Sequence, residues 1–139
     1  GCGRNGCLEQ YCSATGILKT YLKSVVDRSE TDGPVTAKTI FDRAMNGEAE
    51  ALAAFRYTGE LLGFALANSV AFTSPKAIFL FGGLANAGEL LFAPTIYSFE
   101  KNLLSIYSGK VSVLPSGLPE NDAALLGAAS LAWNELKKP

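Results

Sequence analysis

The 139-residue sequence contains no histidine at all. Any zinc it holds must therefore be bound by other groups, thiolates above all. Cysteine is scarce too. Three is an odd number, which argues against a disulfide framework and for a reducing cytoplasm. Charge of one sign is also missing: 12 basic and 13 acidic residues leave a net charge of -1, with no basic block. Nucleic-acid binding by this segment is not expected. The longest apolar stretch, Leu61 to Phe72, falls short of the ~20 residues that span a bilayer. No signal peptide and no initiator Met open the chain, so its start reads as a fragment boundary. What is present is an ordinary globular balance, 48% apolar and 18% charged. That composition argues against disorder, and the length suits one domain or part of one.

The opening run Gly1-Cys2-Gly3-Arg4-Asn5-Gly6-Cys7-Leu8-Glu9 stands out. Glycine lets the backbone turn tightly, so Cys2 and Cys7 can point at one centre. Thiolates placed this way suit Zn²⁺, which takes about four ligands in a structural site. Cys2 and Cys7 supply two, and the run reads as a metal knuckle cut in half. Two thiols in an unstructured terminus are the plainer alternative. Glu9 directly follows the knuckle. It is either a carboxylate favoured by a helix dipole or an acceptor for a sugar hydroxyl. Cys12 reads as a core thiol.

Helical spacing runs from Leu8 to Val26, with Gly16 as a candidate break. Asp27 to Pro34 is a polar turn. Thr36 caps a short helix to Met45, which Asn46-Gly47 ends. Glu48 to Phe72 is the longest helix. Leu52, Phe55, Leu62, Leu66 and Val70 are its apolar set, and Gly59 and Gly63 leave one face small for close packing. Thr73-Ser74-Pro75 terminates it. Lys76 to Phe81 is a continuous apolar run, expected as a parallel strand covered on both faces. Gly82-Gly83 follows at its carboxyl end, where open α/β sheets gather ligands. Backbone N–H groups there can approach a phosphate or ribose, although many tight turns also use Gly-Gly. A helix over Leu90 to Leu104, a strand over Val111 to Leu114 and a helix over Ala123 to Leu136 complete the order. Asn121 or Asp122 is the expected cap of the last helix rather than a catalytic pair, and Trp133 the expected packing residue. Two strands cannot make a stable sheet alone, so further strands are expected upstream of Gly1.

The knuckle resembles the later part of the ROK family pattern Cys-x-Cys-Gly-x-x-Gly-Cys-x-Glu. Ile78-Phe79-Leu80-Phe81-Gly82-Gly83-Leu84 resembles that family's adenosine-binding strand and turn. The run Asn121-Asp122-Ala123-Ala124-Leu125-Leu126-Gly127 resembles the start of its final helix. The resemblance implies an α/β chain forming the C-terminal part of an actin-like ATPase (ribonuclease H-like) lobe, mostly helical with about two core strands. Residues 1–139 would then be the C-terminal portion of the second lobe of a sugar kinase, with the N-terminal lobe absent. It implies ATP-dependent phosphorylation of a hexose such as glucose by the intact cytoplasmic protein. Cys2 and Cys7 would be two of three zinc thiolates, Glu9 a ligand of a sugar hydroxyl, and Gly82 and Gly83 the turn beside ATP and Mg²⁺. The general base would be an Asp of the first lobe, and Asp122 is not its counterpart. On this reading the 139 residues alone are inactive, and a homodimer is expected. The alternative within the family is a sugar-sensing transcriptional repressor, whose helix-turn-helix would lie outside this chain.

Overall fold

The computed structural model describes residues 3–25, 34–118 and 120–137. Gly1, Cys2 and most of the expected 27–34 turn lie outside the described residues.

Leu8–Gln10 forms a 3₁₀ turn, and α1 follows over Ala14–Ser24. The expected continuous helix is thus interrupted, but not at Gly16. Ser13 is in an extended conformation and its side chain accepts the Gly16 amide, which starts α1 there. Gly16 sits in the first turn of the helix and is buried. A Cβ on it would lie 2.5 Å from the Tyr11 carbonyl carbon. The residue that reads as a breaker is a packing requirement.

Helix α2 spans Ala37–Met45 and opens with a reciprocal capping box between Thr36 and Thr39. Gly47 takes φ 84° beyond its end. Helix α3, Ala49–Thr73, carries the architecture. Its buried face is made of Ala51, Ala54, Phe55, Gly59, Gly63 and Val70, while Leu52 is exposed. Small residues make the closest approaches, while Leu62 and Leu66 are half-buried and pack against the two apolar clusters, as expected. Ser74 closes the helix in the left-handed region at φ 45°, and its hydroxyl pairs with the Tyr107 hydroxyl at 2.7 Å.

Strands β1 (Ala77–Leu80) and β2 (Ser112–Pro115) pair in parallel, with Ala77 opposite Ser112 and Leu80 opposite Pro115. Helix α4 (Glu89–Asn102) connects them and packs along α3. Helix α5, Glu120–Leu136, ends the chain. It begins before Asn121 and Asp122, so both backbones lie inside its first turn and neither residue is the cap.

Two apolar clusters result. Ile17, Tyr21, Ile40, Phe55 and Leu91 join α1, α2, α3 and α4. Val70, Phe92, Phe99, Val111 and Val113 join α3 and α4 to the sheet. Ile78 and Leu80 face the second cluster, but Phe79 is 64% exposed on the other side. The strand is therefore covered on one face among the described residues, not on both. Trp133 is 58% exposed, with the Lys137 ammonium over its ring, and is not a core packing residue here.

Candidate functional site

Gly3 and Gly6 take φ of 76° and 77°, in the left-handed region that glycine favours. Between the opening loop and α1 lies a cleft of about 940 Å³. Cys7, Glu9, Gln10, Lys19 and Lys23 are among the groups lining it. Glu9 is exposed, and its Oε2 accepts from the Gln10 amide at 2.8 Å. The other end of Gln10 accepts from Lys19 Nζ at 2.5 Å. One glutamine thus fixes a carboxylate and an ammonium side by side.

Cys7 is half-buried at the entrance of the 3₁₀ turn. Its expected partner Cys2 lies outside the described residues. Among the described residues no group of three or more Cys, Asp or Glu side chains could hold a metal. The donors among the described residues do not by themselves complete a zinc site.

Gly82 and Gly83 lie elsewhere. Gly82 adopts φ 106°, ψ 169°, a conformation open essentially to glycine alone. Its carbonyl accepts the Ala85 amide at 2.9 Å, which starts the 3₁₀ turn Gly83–Ala87. A second cavity of about 280 Å³ opens at these strand ends, lined by Gly82, Asn86 and Ser116 among others. Cys7 and Glu9 therefore share one cleft, Gly82 lines the other, and no residue lines both.

A family model described as the ROK family matches residues 1–135. The chain belongs to the ROK family. A glucokinase from Halalkalibacterium halodurans is 33% identical over 94% of this chain and 42% of its own. A ROK family glucokinase from Streptomyces griseus, solved in complex with glucose and AMPPNP, superposes with a TM-score of 0.79 at 28% identity. That match covers 94% of this chain and 45% of the other. A ROK family transcriptional regulator, a homolog of the E. coli MLC protein, superposes with a TM-score of 0.73 at 22% identity, covering 86% of this chain and 31% of its own. That last likeness concerns the fold alone. This ROK chain spans less than half the length of these relatives. Its fold class follows: part of an actin-like ATPase lobe, mostly helical, with two parallel strands.

Sequence reasoning missed Gln10 and Lys19, because the bond between them crosses the interruption at Tyr11–Ser13. It also missed the tie behind the cleft. Tyr21, 1% exposed on α1, donates to Glu48 Oε1 at 2.5 Å and accepts from Arg43 Nη1 at 2.6 Å. Burial pushes the Tyr21 phenol up, and the Glu48 carboxylate adds to it. These bonds hold α1, one wall of the cleft, against α2 and the start of α3.

Cys12 faces the other way, its thiol donating to the Thr58 carbonyl at 3.6 Å. Burial pushes this thiol from 9.0 to about 11. Its stabilising contribution is complete below pH 9 and is lost as pH rises towards 11, because the unfolded chain releases the proton first. At pH 8, native Cys12 is expected to alkylate at least about tenfold more slowly than in denaturant, even after allowing for the higher nucleophilicity of a more basic thiolate. Mass-spectrometric labelling with and without urea checks this. Equal rates would contradict the burial.

Proposed function

We propose that the intact protein transfers the γ-phosphoryl group of ATP to a hexose of the glucose type. The observation that supports it is the 33% identity to a glucokinase over 94% of this chain, with Glu9 held by Gln10 in an open cleft. On this reading residues 1–139 are the C-terminal portion of the second lobe. Glu9 accepts a hydrogen bond from a sugar hydroxyl and orients the ring. Gly82 and Gly83 let the backbone come close to the nucleotide at the strand ends. Nothing that a Cβ on Gly82 would meet lies within 4 Å, so this side of the turn has room for a bound group. Phosphoryl transfer depends mostly on positioning and charge stabilisation, with Mg²⁺ sharing the phosphate charge. These residues do the positioning. Cys2 and Cys7 belong to the proposal as zinc thiolates that would stiffen the loop before Glu9. So does a homodimer, for which the exposed Phe64 and Phe72 on α3 offer apolar surface. Among the described residues no helix is long and apolar enough to cross a membrane.

The test is ADP release by the full-length protein with ATP, Mg²⁺ and a panel of hexoses and N-acetylhexosamines. Turnover with a single sugar is the expected result and identifies the substrate. Silence across the panel from folded protein would overturn the kinase reading in favour of a sugar-sensing repressor, a family role that shares the fold.

A further inference from the structure

Side chains of adjacent residues in a helical turn do not face one another. Glu9 and Gln10 are adjacent in the Leu8–Gln10 turn, yet their side chains meet at 2.8 Å. Lys19 accounts for this. It stands on α1, nine residues beyond Gln10, and its ammonium donates to the Gln10 amide oxygen at 2.5 Å. A side-chain amide can point either way, but here its partners decide the sense. An ammonium only donates and a carboxylate only accepts. The amide oxygen must therefore face Lys19, and the amide nitrogen must face Glu9. Gln10 is half-buried, whereas Glu9 and Lys19 are exposed. The least exposed of these groups thus stands in the middle and links the others. It occupies Oε2 of Glu9, while among the described residues Oε1 accepts no hydrogen bond.

We infer that Gln10 and Lys19 are positioning residues for Glu9. Lys19 sets the sense of the Gln10 amide, the amide holds one Glu9 oxygen, and the other oxygen is presented to a sugar hydroxyl. Neither Gln10 nor Lys19 has to touch the sugar. This assignment rests on the sugar-binding reading of Glu9 and deepens it. An exposed carboxylate left to itself samples several rotamers, and a ligand must select one of them. Immobilising such a side chain weakens binding by a factor of about three to ten. The Lys19–Gln10–Glu9 chain meets that cost before the sugar arrives.

The experiment is calorimetric titration of the full-length protein and its variants with glucose, beside their melting temperatures. Gln10→Ala is expected to bind glucose about fivefold more weakly, at an unchanged melting temperature. Lys19→Met weakens binding less, because Gln10 keeps its own bond to Glu9 and loses only its fixed sense. Lys19→Arg restores wild-type affinity, since a guanidinium also only donates. In a Glu9→Ala background Gln10→Ala has no further effect, because the acceptor it positions is gone. In a Gln10→Ala background Lys19→Met likewise adds nothing. A glutamine that merely supports the fold would weaken binding in both backgrounds and lower the melting temperature, and that pattern overturns the inference. So does Lys19→Arg binding as weakly as Lys19→Met. Wild-type affinity in Gln10→Ala, with glucose weakened by Glu9→Ala, overturns the inference and leaves the sugar reading standing. Wild-type affinity in Glu9→Ala, or no glucose binding by the wild type, removes both.

Discussion

Glu9→Ala in the intact protein is expected to lower kcat/KM for the sugar about 100-fold. A hydrogen bond to a charged acceptor contributes roughly 1.5–3 kcal/mol, and each 1.36 kcal/mol is a factor of ten in rate. A sugar hydroxyl left facing an apolar methyl loses that bond and gains nothing. The loss should fall on the sugar and spare ATP, because Gly82 lines a separate cavity. Folding should be nearly unaffected. Glu9 is exposed, and it accepts a hydrogen bond from the neighbouring Gln10. Exposed substitutions of this kind usually stay within about 0.5 kcal/mol. Sugar kinetics of the variant beside its melting temperature separate the two effects. Unchanged kcat/KM for sugar would remove Glu9 from the site, whatever the enzyme's activity. A matching loss of melting temperature would make its role structural. Glu9→Gln is the finer test. It keeps an acceptor oxygen but drops the charge, so it should retain more activity than alanine.

Several elements could be read in the sequence because their signals are local. Thr36 and Asn46-Gly47 bracket α2 at the expected positions, since a cap and a left-handed stop act within one turn. Glu9 is singled out in the sequence by the glycines and thiols that precede it, and its role at a sugar remains part of the proposal. Other features depend on partners distant in sequence. An apolar run such as Ala77–Leu80 announces a strand but not what covers each face, and Phe79 is left open on one of them. Gly16 looked like a helix breaker because propensity alone penalises glycine. Its purpose appears only when the Tyr11 backbone is laid against it. The Lys19–Gln10–Glu9 chain was illegible for the same reason. It joins residues on either side of an interruption whose place is set by the Ser13 cap.

Gly63 is the position where that lesson has the largest energetic consequence. It lies on the buried face of α3, against α4. A Cβ there would stand 2.3 Å from the Thr95 carbonyl oxygen, 2.7 Å from the Phe99 amide and 2.9 Å from Ser98 Cβ. Two of these three atoms are backbone, so no rotamer change relieves the clash. The helices would have to separate. One turn earlier, the same contact seats the Pro94 ring against Gly59, and Ser98 Oγ donates to the Glu60 carbonyl at 2.7 Å. Separation would loosen Phe99 and Val70, which tie this helix pair to the sheet. Gly63→Ala would gain helix propensity of up to about 1 kcal/mol. Overpacking of a close-packed interface costs about 1–3 kcal/mol and more where backbone must move, so the clash wins. We expect Gly63→Ala to destabilise by about 2 kcal/mol and Gly63→Val by more. At several degrees of melting temperature per kcal/mol for a domain of this size, the alanine variant should melt roughly 5–10 °C lower. Thermal denaturation of the two variants beside wild type decides it. Alanine at wild-type stability would mean that α3 and α4 lie farther apart than their glycine contact indicates. The strand-end cavity should feel the change before the knuckle cleft does. Helix α4 continues from the Gly83–Ala87 turn, while the three atoms nearest a Cβ on Gly63 all belong to α4 and none to the opening loop or α1. A modest rise in the KM for ATP, with sugar binding intact, is therefore the kinetic trace expected of the folded alanine variant.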